Sequence, residues 1–168
     1  MAELTPTERL QPCLLDRLID DEPAARQESR ERRVISLRRL REGVLRDLVW
    51  LLNTSRHPPE DNLEEFGEVF RSVINYGIPD LCGLTASSVK PQEVERQMVQ
   101  AIQTFEPRIM PGTLNIEAVT SPNSMGANAV SFEIRGELWA QPVPDQLYVR
   151  TDVDLETGQC QLRDRPNG

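Results

Sequence analysis

Leu37, Leu40, Val44, Leu48 and Leu51 recur at steps of three or four and fall on one side of a helix. Leu45, Val49 and Leu52 widen that stripe, while Arg39, Arg46, Asp47 and Trp50 lie off it. Ser36 is an acceptable N-cap, and His57-Pro58-Pro59 cannot continue the helix, which is expected over residues 36–53. Trp50 among charges reads either as an interface anchor or as a side chain covered by the following loop. Residues 60–88 are mixed: Leu63, Phe66 and Phe70 are helically spaced, and residues 72–81 read as an apolar turn broken at Gly77 and Pro79. A second long helix is expected after a cap at Ser87 or Ser88, with Pro91 near its first turn. Its buried face is Val94, Met98, Ile102 and Phe105.

Beyond Pro107 the period drops to two. Residues 114–120 and 129–138 alternate, and residues 147–155 do so most cleanly, with Leu147, Val149, Thr151, Val153 and Leu155 on one face. Residues 156–159 form a hairpin turn with Gly158 available for positive φ, leading to a short last strand over 160–163. Helices first and strands afterwards predict an α+β fold: an N-terminal arm and helices packed on an antiparallel or mixed sheet of three to four C-terminal strands. The single domain is expected over residues 34–168, which suits the length of the chain.

Residues 1–33 read as an arm. It carries one short amphipathic helix within 10–19, with Leu10, Leu14 and Leu18 at i, i+4 and i+8, followed by the acids and proline of residues 20–23. The tether RQESRERR at 26–33 is too polar to bury anything by itself. Such a helix either docks on another protein through Leu14 and Leu18 or folds back on its own domain.

Charge and composition narrow the function. A net charge of −8 argues against non-specific binding to nucleic acid or anionic membranes. No apolar run reaches the roughly 18–20 residues a membrane span requires, so direct membrane insertion is not expected. The acidic N-terminal stretch lacks the features of a signal peptide. Three cysteines without metal or CxxC spacing fit a reducing compartment, and the chain is read as cytoplasmic, without metal or cofactor. Eighteen arginines against one lysine, Lys90, reflect either genomic bias or a use for the planar guanidinium fork.

Catalysis finds little support. The one histidine, His57, stands before Pro58-Pro59 in an expected loop, and the glycines form no phosphate-binding pattern. A two-carboxylate glycosidase would nominate Glu106 as its acid. Arg108 two residues on stabilises the ionised carboxylate, the wrong direction for proton donation. Only eight aromatic residues are present to line a sugar cleft, and Phe70, Phe105 and Phe132 are expected in the core. A peptidoglycan hydrolase therefore ranks as the alternative reading, and no catalytic residue is assigned.

The junction Phe105-Glu106-Pro107-Arg108 is the most informative stretch. A carboxylate there faces the negative end of a helix dipole, Pro107 biases Glu106 out of helical geometry, and Arg108 adds a cationic fork. Local cost, rigidity and two charges together suggest a site built for a partner.

DLVWLLNT at 47–54, SVINYGIPDL at 72–81 and FEPRI at 105–109, in this order and spacing, resemble the baseplate wedge proteins of contractile phage tails. They resemble still more closely the TssE family of type VI secretion baseplates, as does LLDRLIDDEP at 14–23. That resemblance, which covers nearly the whole chain, implies a structural part despite the family's lysozyme-like label. It implies a place in a cytoplasmic baseplate at the inner face of the cytoplasmic membrane. The implied partners are the wedge subunits TssF and TssG, the first ring of contractile sheath subunits and other baseplate proteins. It assigns Glu106, Pro107 and Arg108 to contact with the wedge core, through partly desolvated ion pairs. One departure stands out: the family usually has Asn-Thr-Arg-Arg after the first long helix, where this chain has Asn53-Thr54-Ser55-Arg56. A sheet edge offers unpaired N–H and C=O groups for strand addition by sheath protein. The hairpin over 147–162 is expected to supply that edge, with Val149, Thr151 and Val153 of its first strand as contact positions.

Overall fold

Ser36 accepts a hydrogen bond from the Arg39 amide at 3.2 Å and opens helix α2, Leu37–Leu52. In the computed structural model, which describes residues 13–18, 36–58, 62–85, 88–119, 128–140 and 144–164, α2 is preceded by the short helix α1, Leu14–Leu18. The remaining residues expected in the amphipathic arm helix, and the tether at 26–33, lie outside the described residues. Leu40, Val44, Leu48, Leu51 and Leu52 are buried as the stripe predicts, but Leu37, in the first turn, is exposed.

The segment after α2 returns alongside its own end. A 3₁₀ turn at Leu63–Glu65, the single-turn helix α3 at Gly67–Phe70 and a 3₁₀ turn at Val73–Asn75 replace one longer helix. Phe66 is exposed and Phe70 half-buried, so Phe70 does not take the core position expected of it. Ile78 and Ser55 then form a parallel bridge, with Ile78 N–H donating to the Thr54 carbonyl at 2.9 Å. Gly77 permits this approach: its φ is +123°, and a Cβ there would lie 2.1 Å from the Thr54 carbonyl oxygen.

Helix α4 spans Pro91–Phe105 with Pro91 in its first turn, but its N-cap is Lys90 rather than a serine. The Ser88 hydroxyl is spent on the Thr85 turn, donating to the Thr85 carbonyl at 2.9 Å, and Ser87 lies outside the described residues. Val94, Met98 and Ile102 are buried.

Four antiparallel strands follow: β1 Asn115–Val119, β2 Ala129–Leu138, β3 Asp145–Asp154 and β4 Cys160–Asp164. Their spatial order is β1-β2-β3-β4, and Gly158 at φ +73° closes the last hairpin. α4 lies over β1 and α2 over β4. Phe132, Ile134, Leu138, Leu147, Val149 and Val153 meet Leu48, Leu51, Met98 and Ile102 in one core. The opposite face of the sheet is polar and internally bonded, as where Ser131 donates to Asp152 at 2.6 Å. The fold is α+β, as the change of period predicted.

Candidate functional site

Glu106 closes α4 outside helical geometry, in keeping with the following Pro107, at φ −124° and ψ 76°. Its amide still donates to the Ile102 carbonyl at 2.8 Å, while its side chain turns inward and is 3% exposed. Arg108 wraps back on it: the backbone amide donates to Glu106 Oε1 at 3.1 Å, Nε donates to the same oxygen at 2.7 Å, and Nη2 donates to Oε2. The Arg108 carbonyl accepts from the Trp139 amide at 2.7 Å and Ile109 bridges Leu138, tying the corner to the end of β2.

The same Nη2 of Arg108 donates to Asp47 on α2. Asp47 also accepts from Arg46 Nε at 2.8 Å, and Arg46 Nη1 donates to Asp16 of α1 at 2.6 Å. Five alternating charges, Glu106, Arg108, Asp47, Arg46 and Asp16, thus form a chain through three elements. The Arg46 guanidinium stacks over Trp50, 5.0 Å from the ring centre, with the indole 49% exposed. Tyr76 packs edge-on against Phe105 at 5.1 Å between ring centres.

Electrostatics follow from this geometry. Burial alone would push the Arg108 guanidinium down, yet Glu106 and Asp47 hold it above the ordinary arginine value. The bonds to Asp16 and Asp47 do the same for Arg46. Burial works against the Asp16 carboxylate, but the Cys13 thiol and Arg46 outweigh it and keep Asp16 below the usual 3.8. Burial, then the charges of Asp47 and Glu106, push the Tyr76 hydroxyl up.

The charges that the resemblance assigns to partly desolvated pairs with the wedge are paired within the chain in the free subunit. Glu106 is buried and engaged by its own chain, because an unpaired carboxylate in that position would carry its full desolvation cost. Pro107 is the exposed member of the corner, and Arg108 shows only a partial rim. Leu14 and Leu18 are 71% and 72% exposed while Asp16 between them faces α2, so α1 touches its own domain through the acid and not through its leucines.

Val149, Thr151 and Val153 are buried in the core on β3, an interior strand, because their cleaner apolar face packs under the helices. The hairpin does reach a sheet edge, through its second strand β4. There the Asn53 carboxamide donates to the Cys160 carbonyl and accepts from its amide, both at 3.0 Å. Arg41 grips Asp164 with two bonds of 2.9 and 2.7 Å and Asp145 with one of 2.9 Å. At the opposite edge Glu95 accepts from the Ala118 amide at 2.6 Å. By the alternation of an antiparallel ladder, Leu162 shares the outward parity of Cys160, and its N–H and C=O meet no partner among the described residues.

Asp16, Asp47, Arg46 and Asn53 were not expected as members of these sites. Arg46 and Asp47 were visible as charges off the apolar stripe, but nothing in their spacing says which residues they meet. Among the described residues no three His, Cys, Asp or Glu side chains converge as metal ligands. No helix there is long and apolar enough to cross a membrane.

The chain belongs to the family of baseplate wedge protein gp25, whose family model matches residues 38–143, more than half of its length. This family supplies a structural component of the baseplate in contractile tail systems, and the match is consistent with the type VI secretion members, TssE. The matched span runs from the second residue of α2 to just before β3 and includes the whole ionic corner apart from Asp16. No curated protein and no solved structure matches the chain.

Proposed function

We propose that this chain is the TssE-type subunit of a type VI secretion baseplate, joining the TssF and TssG wedge subunits to the first ring of the contractile sheath. It works on the cytoplasmic side, at the inner face of the cytoplasmic membrane, and is not an enzyme. The observation behind this is the closed corner. Glu106, the carboxylate a muramidase would need as its acid, is buried and held by three bonds from Arg108. What remains for a neighbour is a rigid, pre-ordered shape: exposed Pro107, the rim of Arg108 and the half-exposed Trp50.

Two surfaces divide the work. The corner meets the wedge, and Glu106 acts from beneath by fixing Arg108. The open part of β4 at Leu162 takes a strand from the sheath. Leu162→Pro removes an outward-pointing N–H and also a half-buried leucine side chain packed against the core, so the variant should still fold at a cost of about 2–3 kcal/mol, checked by urea unfolding. It should abolish pull-down of sheath protein while TssF–TssG binding persists; retained sheath capture by the folded variant refutes the edge. A zymogram with purified protein should show no clearing of peptidoglycan, and clearing would overturn the non-enzymatic reading.

A further inference from the structure

The hydrogen bond that Arg46 donates to Asp16 joins segments 30 residues apart in sequence. Over its described residues, Leu14–Leu18, α1 buries little apolar surface, since Leu14 and Leu18 are largely exposed. Its described attachment is the acid, which also accepts from the Cys13 thiol at 2.9 Å.

α2 is shaped to receive that acid. Gly43 stands mid-helix, where glycine weakens the helix relative to alanine. A Cβ there would lie 3.4 Å from Asp16 Oδ2 and 3.5 Å from Arg108 Nη1. A methyl would fit at contact, and anything longer would displace the carboxylate or the guanidinium. Asp16 thus rests against the backbone of α2, beside both arginines of the corner, and next to an arginine already stacked on an indole.

We propose that α1 is an internal stand-in for a partner: Asp16 fills the Arg46 receptor on α2 in the free subunit, and an acidic, apolar segment of a neighbour displaces it on assembly. This rests on the reading of the corner as a partner surface. The chemistry of the incoming segment follows from the receptor, since a guanidinium backed by an indole suits a carboxylate with an apolar side chain beside it. Asp16, with Leu15 and Leu14 preceding it, has that form. Both partners of the ion pair keep some solvent contact, with side chains 30% and 19% exposed, so the pair is exchangeable.

The cysteines make a built-in ruler: Cys13 is half-buried beside Asp16, Cys82 is exposed and Cys160 is buried. Iodoacetamide labelling of the full chain, read by mass spectrometry, follows the arm directly. Raising NaCl to about 1 M, which alters neither side chain, and Asp16→Asn should each speed Cys13 labelling relative to Cys82 about fivefold, with Cys160 unlabelled throughout. Asp16→Asn should also bind the TssF–TssG complex about fivefold more tightly than the wild type, because the internal competitor is gone. Unchanged Cys13 labelling in both conditions overturns the proposal whatever the binding. Faster labelling with weaker binding overturns it too, and makes Asp16 part of a docking helix while the baseplate reading stands. If neither protein binds the complex, the wedge reading falls, and with it displacement by a neighbour.

Discussion

The ionic corner and the β4 edge meet solvent and neighbours in opposite ways. At the corner every charge is answered from within the chain: Glu106 by Arg108, Arg108 by Asp47, Asp47 by Arg46. At the edge the helices cover only part of the strand, Asn53 holding Cys160 and Arg41 holding Asp164, with Leu162 left open between them. The difference is one of solvation. A buried charge without a partner is too costly for a free subunit to keep in waiting, whereas an edge N–H or C=O remains bonded to water until a strand arrives. A binding surface can therefore be stored as an open edge, but a buried charged one must be stored already closed.

Breaking the corner should cost most. Glu106→Ala removes three acceptor bonds from Arg108 and leaves a half-buried cation, so we expect a loss of about 2–3 kcal/mol in urea unfolding. The figure sits at the low end for buried pairs because the Arg108 side chain is 20% exposed and water answers part of the loss. A change under about 0.5 kcal/mol would show that the corner is not a structural unit.

The edge should yield less. Asn53→Ala deletes the two bonds to Cys160 and one to the Val49 carbonyl at 2.8 Å, all at the end of a helix where water can substitute. We expect about 1–2 kcal/mol, with faster hydrogen exchange at the Cys160 amide than at Phe132 in the core. Equal exchange at the two amides would mean that Asn53 does not guard the edge.

The smallest effect concerns α1 and depends on pH. Asp16 has its folded value depressed below the usual 3.8, so its contribution is present above 3.8 and fades as pH falls through the lower folded value. Wild type should exceed Asp16→Asn slightly in stability near neutrality, and the gap should close below pH 3.8. A gap that persists in acid would assign the difference to packing of the asparagine rather than to charge.

Much of the architecture was legible because periodicity reports burial directly. The stripe at Val44, Leu48 and Leu51 and the alternation at Leu147, Val149 and Val153 named residues that are buried together. The same alternation misled on function. A clean apolar face marks a strand packed under helices, so it drew Val149, Thr151 and Val153 toward the partner surface when their burial puts them in the core. Ser88 failed as a cap because its hydroxyl found the nearer Thr85 turn. Capping preferences compete with any local acceptor.

Local chemistry along the chain settled where helices end, where strands alternate and that Glu106, Pro107 and Arg108 would form a rigid exit, since these depend on near neighbours. Which charges would answer one another was decided only by the tertiary structure. Asp47 meets Arg108 across 61 residues and Asn53 meets Cys160 across 107, and no spacing rule reaches that far. The physical reason is desolvation. α2, the end of α4 and the sheet edge enclose a low-dielectric space, and most polar groups inside it must find a partner there.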